Sequence, residues 1–426
     1  MTDRLYYTDA YRSTFDATVT RSFEHEGRPA VTLDRTAFYP TSGGQPFDTG
    51  RLARRAERAE QILPTSQGLG RQPRDTEGEP LAGSVEVVET VDGSDIVHVL
   101  AAPLPAGTVV SGTIEWPRRF DHMQQHTGQH LLSAACDRLF ENQTVGFHMG
   151  AEVSTIDLAR EAPWRDVEHA SDLANDVVWE DRSIAVRLVS PGEAAALALR
   201  KDPTREGPLR LVEIDRFDVC PCGGTHVART GAVGVVAVLR AERLRGGTRL
   251  TFVCGGRAVR ALRTYRDAVT GSVQTLSVLP AELPAAVERL QAEARDLQKR
   301  VRELKTRLAG YDGIRLFSEA PEFNGLRVVV RVVPDADGGD LKALALGVIA
   351  AGRAAVVLLS STPPLSAVVA RSDGVALDAQ GLLRQLLDRF GGRGGGTADL
   401  AQGGGLNASP LEVVSTAREL ITPAIG

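Results

Sequence analysis

The spacing of hydrophobic residues changes along this chain, and each change marks a stretch that needs a core of its own. Over residues 1–112 apolar and polar positions alternate between turn residues. AVTLDRTAFYP, SVEVVETV and GTVVSGTIEW read as strands there, predicting an N-terminal β-barrel domain. The stretch LARRAERAEQILPTSQGLGRQPRDTEGEPLAG is polar and rich in Gly and Pro, and reads as a mobile surface insertion. Over 113–256 the periods mix. RRFDHMQQHTGQHLLSAACDRLF predicts a helix, with Met123, Leu131, Leu132, Ala135 and Leu139 at near-helical spacing. GFHMGAEVSTIDL reads as strand and SDLANDVVWEDRS as helix. AVRLVS, PLRLVEI and GVVAVLRAERLR add strands, so an α+β domain is expected. Over 257–310 Leu283, Val287, Leu290, Ala294, Leu297, Val301, Leu304 and Leu308 form a heptad stripe on a helix roughly 40 Å long. Such a stripe either pairs with a second subunit, making a homodimer, or folds back as a hairpin on RAVRALRTYRDAV; Pro280 and Pro284 favour the hairpin. Residues 311–426 alternate strand and helix, a C-terminal α/β domain. The chain is thus expected to be α+β and multidomain.

Composition excludes several classes. Of the 426 residues, 42% are hydrophobic and 24% charged, as in ordinary water-soluble proteins. No run of about 18 apolar residues suits a membrane span, and MTDRLYYTDAYRST lacks the apolar stretch of a secretory signal. Cys136, Cys220, Cys222 and Cys254 are too few for a disulfide scaffold, and a reducing, cytoplasmic setting is expected. The net charge of −5 makes no bulk case for nucleic acid, and DNA is not an expected partner.

Two short motifs carry chemistry. His126 and His130 lie four apart on the predicted helix, so their imidazoles project from one face about 5–6 Å apart. CPCGGTH repeats the spacing with Cys222 and His226, where Gly223 and Gly224 predict a tight turn. With only eight histidines in the chain, three at ligand spacing are hard to assign to chance. Together the four make a nitrogen and sulfur set suited to one tetrahedral zinc ion per chain. A metalloprotease helix needs Glu beside its first histidine, and Thr127 stands there instead. Four protein ligands also suit a purely structural zinc. Cys220 is a further candidate ligand, but Cys222 repeats the four-residue spacing.

RRFDHMQQHTGQHLLSA, GFHMGAEVSTIDL and DVCPCGGTHVARTGAVG closely resemble the editing domain of alanyl-tRNA synthetase. The form of the motifs is nearer still to the AlaX family of free-standing alanyl-tRNA editing proteins. LDRTAFYPTSGGQPFDTG resembles that family's barrel, and GGRGGGTADLAQGGG its DHHA1-type C-terminal domain, which together imply the long form. The resemblance implies zinc held by His126, His130, Cys222 and His226. It implies ATP-independent hydrolysis of the ester on alanine tRNA mischarged with serine, or with glycine. Because the chain begins at the barrel, no aminoacylation domain is expected. Gln129 and His148 are the expected catalytic helpers. Gly43, Gly44 and Gln45 match the glycine motif linked with telling serine from alanine, and are expected to bind substrate, although a plain hairpin turn explains them equally well. Arg240, Arg243, Arg245, Arg249, Arg257, Arg260, Arg263 and Arg266 are candidate tRNA contacts. The alternative from another class is a catalytically silent tRNA-binding protein with a structural zinc. A phosphoesterase is not expected, since the aspartate-rich motifs it needs are missing.

Overall fold

The computed structural model describes residues 1–55, 84–93, 95–197, 199–201 and 208–425. Most of the expected surface insertion, residues 56–83, lies outside the described residues. Contacts divide the chain into two compact units, Met1–Thr270 and Gly271–Gly426.

The first unit opens with a closed six-stranded barrel, in which neighbours run Thr14–His25, Arg28–Leu33, Val97–Leu100, Ser84–Val91, Gly50–Arg54 and Val109–Ile114. Alternation explains it: along Thr14–His25 the residues Phe15, Ala17 and Val19 turn inward to meet Leu33, Leu52 and Val110. Helix α1 (Trp116–Phe140) follows directly, with Pro117 in its first turn and Glu141 in the left-handed conformation at its end. It is buried on nearly every side. Met123, Leu131, Leu132 and Ala135 pack into a core shared with helix α2 (Trp164–Trp179) and an antiparallel sheet. That sheet is ordered Val236–Leu244, Gly247–Cys254, Ser154–Leu158, Thr144–Met149. α2 begins seven residues before the SDLANDVVW stretch because Val167 and Ala170, ahead of it, already continue its buried face. A short helix α3 (Pro191–Ala195) and a second sheet, Ile184–Val189, Leu209–Ile214 and Asp218–Pro221, complete the α+β part. Helix α4 (Gly255–Leu276) leaves the last strand of the larger sheet.

One buried ion pair fastens barrel to helix. Arg119 and Asp48 are both fully buried, and the guanidinium also donates to the Ala10 carbonyl at 2.8 Å and to that of Ala37 at 2.5 Å. Asp48 in turn accepts from the Tyr39 amide at 2.7 Å. Every donor and acceptor there has a partner, which is what makes such burial tolerable.

In the second unit, helix α5 (Leu283–Glu319) spans 37 residues, past the expected end near 310. It crosses helix α6 (Gly338–Ala351) where a Cβ on Gly313 would lie 2.4 Å from the Gly347 carbonyl carbon. The six-stranded sheet runs Glu322–Phe323, Leu326–Val333, Ala354–Ser360, Leu365–Arg371, Leu400–Leu406, Arg393–Gly396. Leu326–Val333 and Ala354–Ser360 pair in parallel through α6, and the other pairs are antiparallel. Alternate residues face opposite cores. Val356, Leu358 and Val368 meet α6, whereas Val357, Leu359 and Val369 meet helices α7 (Ala379–Phe390) and α8 (Pro410–Ile425). GGRGGGTADLAQGGG forms the last hairpin, whose strands approach so closely that a Cβ on Gly394 would lie 2.5 Å from the Gly403 Cα.

Candidate metal centre

His126 and His130 sit one turn apart on α1, facing the turn that follows Asp218–Pro221 and carries Cys222 and His226. One ligand atom from each of the four lies within 4.8 Å of all the others. The Cys222 Sγ is 3.4 Å from His126 Nε2 and 3.3 Å from His226 Nε2, and the His126 and His226 rings are 4.5 Å apart. Gly224 is needed for this approach. A Cβ there would lie 2.1 Å from His126 Cε1.

Each histidine is held by its other nitrogen. His126 Nδ1 lies 2.8 Å from Gln45 Oε1, His130 Nδ1 3.1 Å from an Asp218 carboxylate oxygen, and His226 Nδ1 3.2 Å from Thr127 Oγ1. Asp218 is gripped from its far side by Arg200, at 2.7 and 3.0 Å. This is how proteins orient metal-ligating imidazoles, with one nitrogen spent on a partner and Nε2 left for the ion.

The electrostatics favour the ligand forms of Cys222 and His226. Burial pushes the Cys222 thiol up, but His126 and His226 beside it overcome this and lower it well below its usual value; the Gly224 amide also donates to the sulfur at 3.3 Å. Burial lowers His226 to about 3, so it stays neutral. Burial works against charge on His130 too, yet the hydrogen bonds to Asp218 and Cys222 hold its pKa above 6.5. Asp218 is depressed to about 2: burial raises it, and His130 and Arg200 more than reverse that. A thiolate with three imidazole nitrogens is a donor set that fits tetrahedral zinc.

The cluster opens into a cavity of about 340 Å³ whose wall includes Gly43, Gln129, Thr144, Phe147 and Lys201. Gln129 donates to Ser133 Oγ at 2.8 Å, and Thr144 to the same oxygen at 2.7 Å, giving one side a hydroxyl-rich character. Gly43 thus reaches the cavity, as does Gln129. His148 does not: its strand neighbour Phe147 stacks toward His126, 5.3 Å between rings, so His148 faces the other way, exposed. Gln45 is buried with its amide on His126 and Thr225. Cys220 stays outside the cluster, its thiol pushed up to about 11 by burial.

The sequence reading missed Asp218, Thr225 and the positive role of Thr127, noticed there only as the absence of glutamate. Asp218 had a signal, standing two residues before the cysteine motif. Among the arginines expected to meet tRNA, Arg243 lies on Glu161, Arg249 on Asp157, and Arg257 is buried against Asp121, a packing role.

Sequence comparisons bear on this geometry. Residues 209–250 match the family described as the threonyl and alanyl tRNA synthetase second additional domain. The alanyl-tRNA editing protein AlaX-L of Pyrococcus horikoshii is 30% identical over 98% of this chain and 98% of its own. The chain belongs to the AlaX family of alanyl-tRNA editing proteins. It also matches alanine–tRNA ligases, at 32% identity over 99% of the chain for Natronomonas pharaonis and 31% over 99% for Pyrococcus abyssi. It spans only 44% and 43% of those ligases. Among its described residues no helix is long and apolar enough to cross a membrane.

Proposed function

We propose that this protein hydrolyses the ester of alanine tRNA mischarged with serine, and to a lesser extent glycine, using one zinc ion held by His126, His130, Cys222 and His226. The observation that carries the reading is four ligand atoms within 4.8 Å, three of whose residues, His126, His130 and Cys222, line a cavity of about 340 Å³. When bound, the ion supplies Lewis-acid polarisation of the ester carbonyl and an acidified water. The chain supplies position. Gly43 of the glycine motif, Gln129 and Thr144 line the pocket and offer hydrogen bonds to a substrate hydroxyl, with Ser133 buried behind Gln129 and Thr144. A pocket built around a hydroxyl rejects alanine better than one that measures size. The ester is already activated, so no ATP is needed.

The reading assigns 1–112 to the barrel, 113–256 to zinc and editing, 257–310 to the helical linker and 311–426 to a tRNA-binding DHHA1-type domain. It places the enzyme in the cytoplasm, where tRNA is charged, and pairs two copies through the exposed stripe of α5. A closed set of four protein ligands favours a second reading, a silent tRNA-binding protein with structural zinc. Purified protein offered Ser-, Gly- and Ala-tRNA(Ala) separates them. The proposal expects the first to be deacylated, the last spared, and Cys222→Ala to be inactive; survival of all three supports the silent reading.

A further inference from the structure

We propose that Gln45 is a positioning residue of the metal centre, the contact by which the barrel holds His126 in its ligating form. The inference rests on the zinc reading above. Gln45 is fully buried, at the end of a tight turn closed by Ser42 N–H to Gln45 O at 3.1 Å and Gln45 N–H to Ser42 O at 3.0 Å. Gly43 and Gly44 occupy the two central positions with φ of 56° and 84°, open to glycine at little cost. The turn is anchored on the zinc side by Met149 N–H to Gly44 O at 3.1 Å. Its close fit leaves no room at Gly44, where a Cβ would lie 2.8 Å from the Phe147 ring. The turn is therefore built to deliver one amide to one place.

The orientation of that amide is determined by its neighbours. Thr225 N–H donates to Oε1 at 3.1 Å, while Nε2 donates to Thr225 Oγ1 at 2.9 Å. Oε1 is thus an acceptor, and His126 Nδ1 must carry the proton it receives, leaving Nε2 bare toward Cys222. Gln45 touches both ligand-bearing segments at once, α1 through His126 and the cysteine turn through Thr225. The two helix histidines also differ. His130 leans on a carboxylate, His126 on a neutral amide, so His126 is the weaker donor of the pair.

The test compares Gln45→Met, which keeps the bulk and loses the acceptor, with Gln45→Glu, which makes the acceptor anionic. Zinc affinity is read by competition with a chelator, and ligand geometry by the visible absorption of the cobalt(II)-loaded protein. Gln45→Met is expected to bind zinc about 10- to 100-fold more weakly with an altered cobalt spectrum. Gln45→Glu is expected to bind at least as tightly as wild type, also with a shifted spectrum. A folded Gln45→Met protein with wild-type affinity and spectrum overturns the inference. Should that variant fail to fold, a Gln45→Glu protein indistinguishable from wild type in both readouts overturns it equally. Wild-type protein that binds no zinc overturns the proposed function itself, and this inference with it.

Discussion

A glycine decides whether the four ligands can meet. Because a Cβ on Gly224 would lie 2.1 Å from His126 Cε1 and 2.4 Å from its Nδ1, Gly224→Ala must displace the ring that Gln45 holds. We expect that variant to fold and to lose at least about tenfold in zinc affinity by chelator competition; unchanged affinity would mean the ring position is not needed. At this scale the sequence was informative about ligands and poor about their supports. The four-residue spacings of His126 with His130 and Cys222 with His226 are local, so they are visible on the page. Gln45, Asp218 and Thr127 reach their imidazoles across 81, 88 and 99 residues, and only the fold brings them there. His148 shows the converse case. Its place in the motif was legible, but the side of the strand it faces depends on register, which Phe147 settles by packing on His126.

Helix α1 carries two duties, and its first turn is where they join. Arg119 binds Asp48 in full burial, so Arg119→Met strands a buried carboxylate and should cost about 3–5 kcal/mol of stability, seen as a lowered unfolding midpoint in calorimetry. A loss near zero would show that the barrel does not depend on this contact. Helix α5 shows how far periodicity reads. The heptad stripe was legible as far as Leu308, yet Gly310 and Gly313 look like helix breakers. The helix continues through them because Gly313 lets α6 approach at Gly347, a tertiary reason no window of sequence contains. Leu297, Leu304 and Leu308 are 60%, 60% and 61% exposed along that stripe. Replacing Leu297 and Leu304 by Asp should convert the dimer proposed above to a monomer in light scattering; a double variant that keeps the wild-type mass would remove the stripe as an interface. The glycine-rich segment GGRGGGTADLAQGGG lies near the C-terminus. In the fold its strands close on each other, Gly394 on Gly403, which accounts for those glycines by packing.

For the whole molecule, buried neutral histidines set the acid limit. Burial lowers His98 to about 4 and does the same to His122, against 6.5 for each when free. Below 6.5 the unfolded chain takes up these protons first, so their contribution is intact above 6.5 and is lost as the pH falls toward 4. Each can steepen the decline by up to about 1.4 kcal/mol per pH unit. Denaturant midpoints should therefore drop across that window, and a flat profile would contradict the burial of both rings. The broad architecture was legible because alternation, helical spacing and heptads each announce their own stretch. That barrel and α+β part form one compact unit was not, since it depends on contacts such as Arg119 with Asp48. The central claim is that zinc at His126, His130, Cys222 and His226 drives editing. The most direct test is serine release from Ser-tRNA(Ala) by protein as purified, stripped with chelator, and resupplied with one equivalent of zinc. The account predicts hydrolysis that is lost on stripping and returns with zinc; equal hydrolysis by the stripped protein, or none by the zinc-loaded one, would contradict it.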